Sequence, residues 1–600
     1  MTSLTDTHSI TANWLAAFAR AISDGDAQRV AATFLPEGWL RDVLTFVWDT
    51  RSLRGREAIQ RYLTESNHLS QAQIFNIALE TDPFYTPRES FAPTGDRVGV
   101  ETGFKYETRY AICRGYAHLR QVEDGTWQAI TVGMIALDLK AHPEPMNVAL
   151  DWEASGRTWD VLEAERKAKI ETDPHVLIIG AGQCGLSTAA RFRQMDIPTL
   201  VIEKNARIGD NWKKRYKSLA LHTPDFYSPM LYQPFPSDWP EYAPRDKLAS
   251  WFESYAVNQH LTIWTKSTLA AQPQYDESEG VWHVSIDRDG KNVTLRPKHI
   301  VLATGVLGAP RVPDLPDQTS FAGTVLHAAQ FVEPAPFAGK RVIVVGAGNS
   351  SIDICQDLAT GGAASVTMVQ RSQTCVVSRS SVKGDMRHNW LPGEPVAVGD
   401  FKFSAQPLGF FKEMAQSMPE VLWAREKELH DKLRKGGLNL YLGPEGEGQF
   451  LMVFERGGGY WMDKGGADLI ASGQIKIKQG SSPKSFATDG LIFSDGSKLP
   501  ADVVIFATGY ELLRDVQKHT FGEGVIDRTS ETWGLDEESE INGCFRPSGH
   551  PALWYAIGDF FNCRFMSKQL AILIKAAELG LYNPEQDQRK VTVDAPRAKM

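Results

Sequence analysis

Twice in this chain a short apolar run ends in a glycine-rich turn that opens a helix, and this pairing limits the fold more than any other feature. In the first, His175-Val176-Leu177-Ile178-Ile179 leads into Gly180-Ala181-Gly182-Gln183-Cys184-Gly185, with helix-forming residues from Leu186. This is G-x-G-x-x-G in the strand–turn–helix setting that a dinucleotide requires. Gly180 permits the tight turn, Gly182 lets backbone approach a pyrophosphate, and Gly185 lets helix pack on strand. The helix N-terminus then supplies N–H groups to the phosphates. The next strand, Thr199–Ile202, ends in Glu203. An acid there accepts hydrogen bonds from ribose hydroxyls and repels a 2′-phosphate.

The second run, Arg341–Val345, feeds Gly346-Ala347-Gly348-Asn349-Ser350-Ser351, where Ser351 stands in place of the third glycine. Its following strand ends in Gln370-Arg371-Ser372, without an acid. A guanidinium and a hydroxyl at that tip suit a 2′-phosphate. One site therefore calls for a free ribose and the other for a phosphorylated one. Two further apolar strands end alike, in Ala303-Thr304-Gly305 and Ala507-Thr508-Gly509. Short strands alternating with helices specify α/β architecture.

Residues 1–150 follow another pattern. Trp14, Leu15, Phe18 and Ile22 recur at helical spacing, and Asp24-Gly25-Asp26 ends that helix. Further helices are expected at about Gln28 to Phe34 and from Gly55. From Val98 to Leu139 apolar residues alternate, with a hairpin turn at Glu123-Asp124-Gly125. Helices followed by an antiparallel sheet make an α+β unit.

Composition narrows the function. Of 600 residues, 64 are Lys or Arg and 73 are Asp or Glu, a net charge of −9, so nucleic acid is not an expected partner. Six scattered cysteines without C-x-x-C exclude a disulfide scaffold, a cysteine-based zinc site and a dithiol reductase centre. No apolar run reaches the roughly 18 residues of a membrane span. Met1 to Asp6 does not read as a secretory leader, and a cytoplasmic location is expected.

Between the two turns lies Phe321-Ala322-Gly323-Thr324-Val325-Leu326-His327-Ala328-Ala329-Gln330-Phe331, which matches F-x-G-x-x-x-H-x-x-x-[YF]. With the two turns, the paired Ala-Thr-Gly strands and the late Trp554-Tyr555-Ala556-Ile557-Gly558-Asp559, it resembles the flavin-containing monooxygenases, class B flavoprotein enzymes. Gly348-Asn349-Ser350-Ser351 and Val369-Gln370-Arg371-Ser372 are most similar to the YUCCA-like members. The first unit resembles the NTF2-like (SnoaL-like) cone through Trp14, Phe18, Gly25-Asp26 and Gly55-Arg56-Glu57-Ala58-Ile59.

The resemblance implies two Rossmann-type domains, one for FAD and one for NADPH, preceded by the cone. Expected segments are 1–150 (cone), 151–172 (connector), 173–340 (FAD), 341–500 (NADPH, with a helical insertion near 401–438) and 501–600 (FAD return segment). It assigns FAD contacts to Gly180, Gly182, Gln183, Gly185, Glu203, Trp212, His222 and Asp559. NADPH contacts fall to Gly346, Gly348, Asn349, Ser350, Ser351, Arg371 and Ser372. His327 belongs to the fingerprint without an assigned catalytic role, and no metal is expected. The implied activity is oxygenation of a small organic substrate by O₂ through a C4a-hydroperoxyflavin. An α-keto acid such as indole-3-pyruvate, a sulfide and an amine all remain open as substrates. The alternatives are an uncoupled NADPH oxidase or a Baeyer–Villiger enzyme, although Phe331 stands where the Baeyer–Villiger fingerprint has Trp. Because both turns follow residue 173, residues 1–150 are expected to be a binding or homo-oligomerisation module dispensable for flavin content.

Overall fold

The structure is a computed structural model that describes residues 6–91, 97–146 and 155–586. The helix Thr7–Ser23 begins at Asp6, whose carboxylate accepts the Ser9 N–H at 2.8 Å, and its buried face carries Trp14, Leu15, Phe18 and Ile22. That face lies on a seven-stranded sheet. Trp14 stacks on Phe18 at 5.1 Å, both rings meet Phe104 edge-on, and the Trp14 indole N–H donates to the Thr33 carbonyl. The strand order is Thr50–Arg54, Phe34–Val43, Trp127–Leu139, Ala111–Gln121, Arg97–Glu107 and Phe75–Leu79, with Arg88–Phe91 also on Arg97–Glu107. Phe34–Val43 runs parallel to Trp127–Leu139, and every other pairing is antiparallel.

The second helix ends at Ala32, so Phe34 opens a strand instead of closing a helix. That strand contains Pro36 and Gly38, and its pairing shifts register between Phe34 and Trp39, so no alternation marks it in the sequence.

Two five-stranded parallel sheets follow, and both Gly turns sit at the C-terminal ends of central strands. The first has the order Thr262–Trp264, Thr199–Ile202, Val176–Ile179, His299–Leu302, Leu553–Tyr555. The second has the order Thr324–His327, Val503–Phe506, Arg341–Val345, Ser365–Gln370, Ile475–Gln479. Pairing thus overturns the expected divisions at 340 and 500. Thr324–His327 and Val503–Phe506 are strands of the second sheet, whereas Leu553–Tyr555 returns to the first. Apolar content marks a strand, but main-chain hydrogen bonding decides its sheet. The division at 150, the start of the connector, residues 1–5 and residues 587–600 lie outside the described residues; a connecting helix spans Trp159–Thr172.

The helical insertion is longer than the expected 401–438. Six helices between Arg379 and Arg456 are bracketed by a parallel pair, Cys375–Ser378 and Tyr460–Asp463. No helix of the described residues is long and apolar enough to cross a membrane.

The N-terminal sheet is docked on the rest of the chain through buried charge. Arg41 donates two hydrogen bonds of 2.7 Å to Glu540, and the Ser52 hydroxyl donates to the same carboxylate at 2.6 Å. Arg546 pairs with Asp49 at 2.9 and 3.1 Å and donates to the Thr50 carbonyl. Glu144 receives Arg191 and Lys568 at 2.5 and 2.6 Å. Backbones also touch, since a Cβ on Gly133 would lie 2.5 Å from the Ala405 carbonyl oxygen. This interface corrects the expectation of a dispensable module. Removing the sheet leaves the buried Glu540 carboxylate without Arg41 and Ser52, and leaves Arg546 with only Asp536 and the Ile541 carbonyl.

Two predictions follow from this packing. Leaving one member of a buried pair unpartnered costs about 3–5 kcal/mol. Arg41→Ala should therefore lower the melting temperature by several degrees, and a chain lacking residues 1–150 should lose solubility and flavin, read by calorimetry and by absorbance of the purified protein. The second concerns Asp42, fully buried, which accepts hydrogen bonds from the Tyr62 hydroxyl (2.7 Å) and the Thr45 N–H (2.8 Å). Burial still pushes its carboxyl up to about 7 from 3.8. The folded protein keeps a proton that the unfolded chain releases, so this group's contribution falls as pH rises from about 4 to about 7, by up to roughly 1.4 kcal/mol per unit. The stability advantage of wild type over Asp42→Asn should be greatest near pH 4 and shrink to a plateau above pH 7 in parallel thermal melts.

Candidate active site

At each turn the three positions do separate work. Gly180 has φ +109°, and a Cβ there would lie 2.6 Å from the Ala303 carbonyl oxygen. Gly346 has φ +131°, with the Ala507 carbonyl oxygen 2.4 Å from its Cβ position. The paired Ala-Thr-Gly strands are thus the backing of the two turns. A Cβ on Gly185 would meet the Gly180 carbonyl oxygen at 1.9 Å, so this glycine serves helix–strand packing. A Cβ on Gly182 or Gly348 would make only an ordinary contact, with Asn211 Nδ2 at 3.5 Å or the Tyr460 carbonyl oxygen at 3.9 Å. Open backbone at a helix N-terminus is what a diphosphate needs. Both turns fit a dinucleotide.

The helices begin at Gln183, three residues before the expected Leu186, and at Asn349, which puts Asn349 and Ser350 in the first turn. Ser351 is buried and its hydroxyl has no hydrogen-bond partner, taking up the space of the missing third glycine. Glu203 is buried and accepts from the N–H groups of Ala181 (3.0 Å) and Asn205 (2.8 Å), which hold it at the turn. At the corresponding tip Arg371 and Ser372 are exposed. Gln370 turns away, donating to Thr374 and the Asn439 carbonyl and accepting the Asn439 N–H, so it anchors the strand end.

The return segment reaches the first turn through direct contacts. Gln183 Nε2 and the Cys184 thiol both donate to the Gly558 carbonyl, at 3.3 and 3.1 Å. The Cys563 thiol donates to Cys184 Sγ at 3.0 Å. Asp559 caps the helix Phe560–Glu578 by accepting the Asn562 N–H, and it accepts the Tyr227 hydroxyl at 2.5 Å. Burial raises the Asp559 carboxyl above its ordinary value. Around this pair stand Trp390 and Phe561, with ring centroids 4.8 and 6.3 Å from Tyr227. Beneath them Arg564 makes two bonds, of 2.8 and 2.7 Å, to Asp400, which also accepts the Trp390 N–H. Sequence reading missed Tyr227, Asp400 and Arg564, since no spacing connects residues so far apart in the chain.

His327 is buried at the end of its strand. Its Nδ1 accepts the Ala329 N–H and its Nε2–H donates to the Gly509 carbonyl, both at 3.1 Å, a pattern that assigns the neutral ring. Burial lowers its basicity further. The fingerprint histidine therefore ties its strand to the end of Ala507-Thr508-Gly509. Trp212 packs between the cores of the two parallel sheets, and His222 lies across from Tyr242, where burial depresses its basicity.

The glycine geometry separates binding from folding. Gly182→Asp meets no clash and places a carboxylate where a diphosphate would sit, so it should fold with a near-normal melting temperature and lose flavin absorbance. Gly185→Ala drives a methyl into the Gly180 carbonyl and should lower the melting temperature itself, by several degrees on the measure of overpacked cores (about 1–3 kcal/mol).

Comparison with known proteins agrees with this geometry. Residues 173–392 match the family model for flavin-binding monooxygenase-like proteins. A probable indole-3-pyruvate monooxygenase, YUCCA9 of Arabidopsis thaliana, is 32% identical over 417 residues, 68% of this chain and 88% of the relative. The indole-3-pyruvate monooxygenase YUCCA1 of Oryza sativa subsp. japonica is 30% identical over 346 residues, 56% of this chain and 77% of the relative. Among solved structures, cyclohexanone monooxygenase from Rhodococcus sp. Phi1 aligns with a TM-score of 0.48 at 18% identity, over 68% of this chain and 85% of that one. A relative at 32% identity aligned over most of its own length, on a chain with two glycine turns open to dinucleotides, places this protein in the flavin-binding monooxygenase-like family, as an FAD- and NADPH-dependent oxidoreductase.

Proposed function

We propose that the chain oxygenates a small organic acid of the α-keto type, as the names of its plant relatives indicate for them. One observation carries the cofactor assignment within this reading: equivalent strand tips present Glu203 at the first turn and Arg371 at the second. The first then takes FAD, whose ribose hydroxyls Glu203 would meet, and the second takes NADPH, whose 2′-phosphate Arg371 and Ser372 would meet. FAD held there would supply the redox chemistry that joins NADPH and O₂.

The protein's own work is positioning and exclusion of water. Gly182 and Gly348 leave room for the diphosphates, and the N–H groups of Gln183, Asn349 and Ser350 face them. Asp559, held by Tyr227 and its own helix cap, stands where the return segment meets the first turn. Trp390, Phe403 and Phe561, with centroids 5.0–5.7 Å apart, make an apolar wall against water. His327 acts as a structural tie. The N-terminal unit, a cone of the NTF2-like kind in this reading, braces that wall through the insertion. Six buried cysteines, none in a disulfide, accord with a cytoplasmic setting.

The test of substrate class follows NADPH loss and H₂O₂ together over a panel of α-keto acids, sulfides and amines. A true substrate speeds NADPH consumption without raising peroxide, and a response only to amines or sulfides would overturn the keto-acid reading. For the reductant, a charge-assisted hydrogen bond contributes about 1.5–3 kcal/mol, or ten- to a hundredfold. Arg371→Glu should raise the NADPH concentration needed for flavin reduction by at least that factor and shift preference toward NADH. An unchanged preference in stopped-flow reduction would place 2′-phosphate recognition elsewhere.

A further inference from the structure

The parallel pair that brackets the insertion runs past the second turn. Tyr460, at its start, has its carbonyl oxygen 3.9 Å from the Cβ position of Gly348, and Cys375 is paired with it. At the other end Ser378 pairs with Asp463, so Arg379 and Lys464 emerge together about four residues, or roughly 13 Å, beyond the turn. Arg371 precedes this strand and Arg379 follows it. Arg379 therefore lies past the diphosphate position, away from the tip that carries Arg371.

The surroundings of Arg379 leave its charge unmatched. Its guanidinium sits 4.1 Å from the ring centroid of Tyr242, and its buried Nε–H has no hydrogen-bond partner. Main-chain bonds from Leu221 to Ala243 and from Arg245 to Leu219, each 2.9 Å, bring Tyr242 beside His222 of the first unit. The nearby Lys464 is already paired with Asp353 at 2.7 Å, and Asp353 also accepts the Tyr216 hydroxyl. Glu241 is paired with Lys383. Arg215, another cation near His222, lies 5.7 Å from the Tyr216 ring. Among the described residues neither Arg215 nor Arg379 has a carboxylate within ion-pair reach. Two half-buried guanidiniums without counter-ions therefore lie near His222, and the buried Nε–H of Arg379 is costly to leave without an acceptor.

We propose that Arg379, supported by Arg215, recognises an oxyanion beside Tyr242 and His222, and that this oxyanion is the substrate's carboxylate. The proposal rests on the acidic-substrate reading above and names the residue that selects for the acid. Guanidinium and carboxylate match through two parallel N–H···O bonds, which a neutral amide or ester cannot reproduce.

The test uses the FAD-loaded, full-length protein and two unreactive probes, indole-3-acetate and indole-3-acetamide, titrated with NADP⁺ present and read by the flavin absorbance change. Wild type should bind the acid at least about tenfold more tightly than the amide. Arg379→Gln should abolish that difference, and Arg379→Lys should keep part of it. NADP⁺ is titrated separately into the same proteins. If Arg379→Gln weakens NADP⁺ and leaves the acid unaffected, the oxyanion is the cofactor's diphosphate and the substrate assignment is overturned. Equal binding of acid and amide by wild type, binding of neither, or discrimination that survives in Arg379→Gln also overturns it. Should the acid bind through Arg379 while α-keto acids are not oxygenated, the site stands and the proposed substrate reaction falls.

Discussion

The carbonyl oxygens of Ala303 and Ala507 press against the first glycine of each nucleotide turn, where a Cβ would come within 2.6 and 2.4 Å. Much else depends on this backbone-on-backbone contact. It forces the positive φ that only glycine adopts readily, and the positive φ aims the following helix so that its first N–H groups face outward. It also explains why each sheet needs an Ala-Thr-Gly strand immediately beside its Gly-turn strand, and so why segments distant in the chain must return to the centre of each sheet.

From the first turn the structure is a series of dependent contacts. Gln183 and Cys184 hold the Gly558 carbonyl, which places Asp559 and starts the C-terminal helix. Arg564 on that helix holds Asp400 of the insertion, and Trp390 of the insertion packs edge-on against Tyr227. The N-terminal sheet then holds the insertion and the late loop, through the Ala405 backbone against Gly133 and through Glu540 against Arg41. Each step is buried and polar or closely packed, so a change in the N-terminal sheet reaches the first glycine turn through few intermediates. A unit outside the nucleotide-binding region is thereby part of the same folded body.

The electrostatics divide the second unit along its length. Arg371 is exposed at one tip, while Arg379, at the far end of the following strand, is half-buried against Tyr242 with its Nε–H buried. An exposed guanidinium is screened by water, whereas a buried N–H requires an acceptor. The two arginines stand eight positions apart, separated by the single strand Cys375–Ser378.

The glycine turns, their strands, Glu203, Arg371 and the Asp559 helix start were legible from the residues because each is local: period, turn and cap lie within a few positions. The hairpin at Gly125 and the helix carrying Trp14 and Phe18 were legible for the same reason. Sheet membership was not, because Thr324–His327 and Val503–Phe506 look like any buried strand and only hydrogen bonding assigns them to the second sheet. Phe34–Val43 was hidden because tertiary pairing, with a register shift, imposes strand structure on a segment containing proline and glycine. His327 read as a fingerprint, but its role as a tie to Gly509 exists only across 182 positions. Local sequence determined which nucleotides the chain can hold. Tertiary structure alone decided what surrounds them, since Tyr227, Asp400, Arg564 and Arg379 acquire meaning only from partners that the chain brings back from far away.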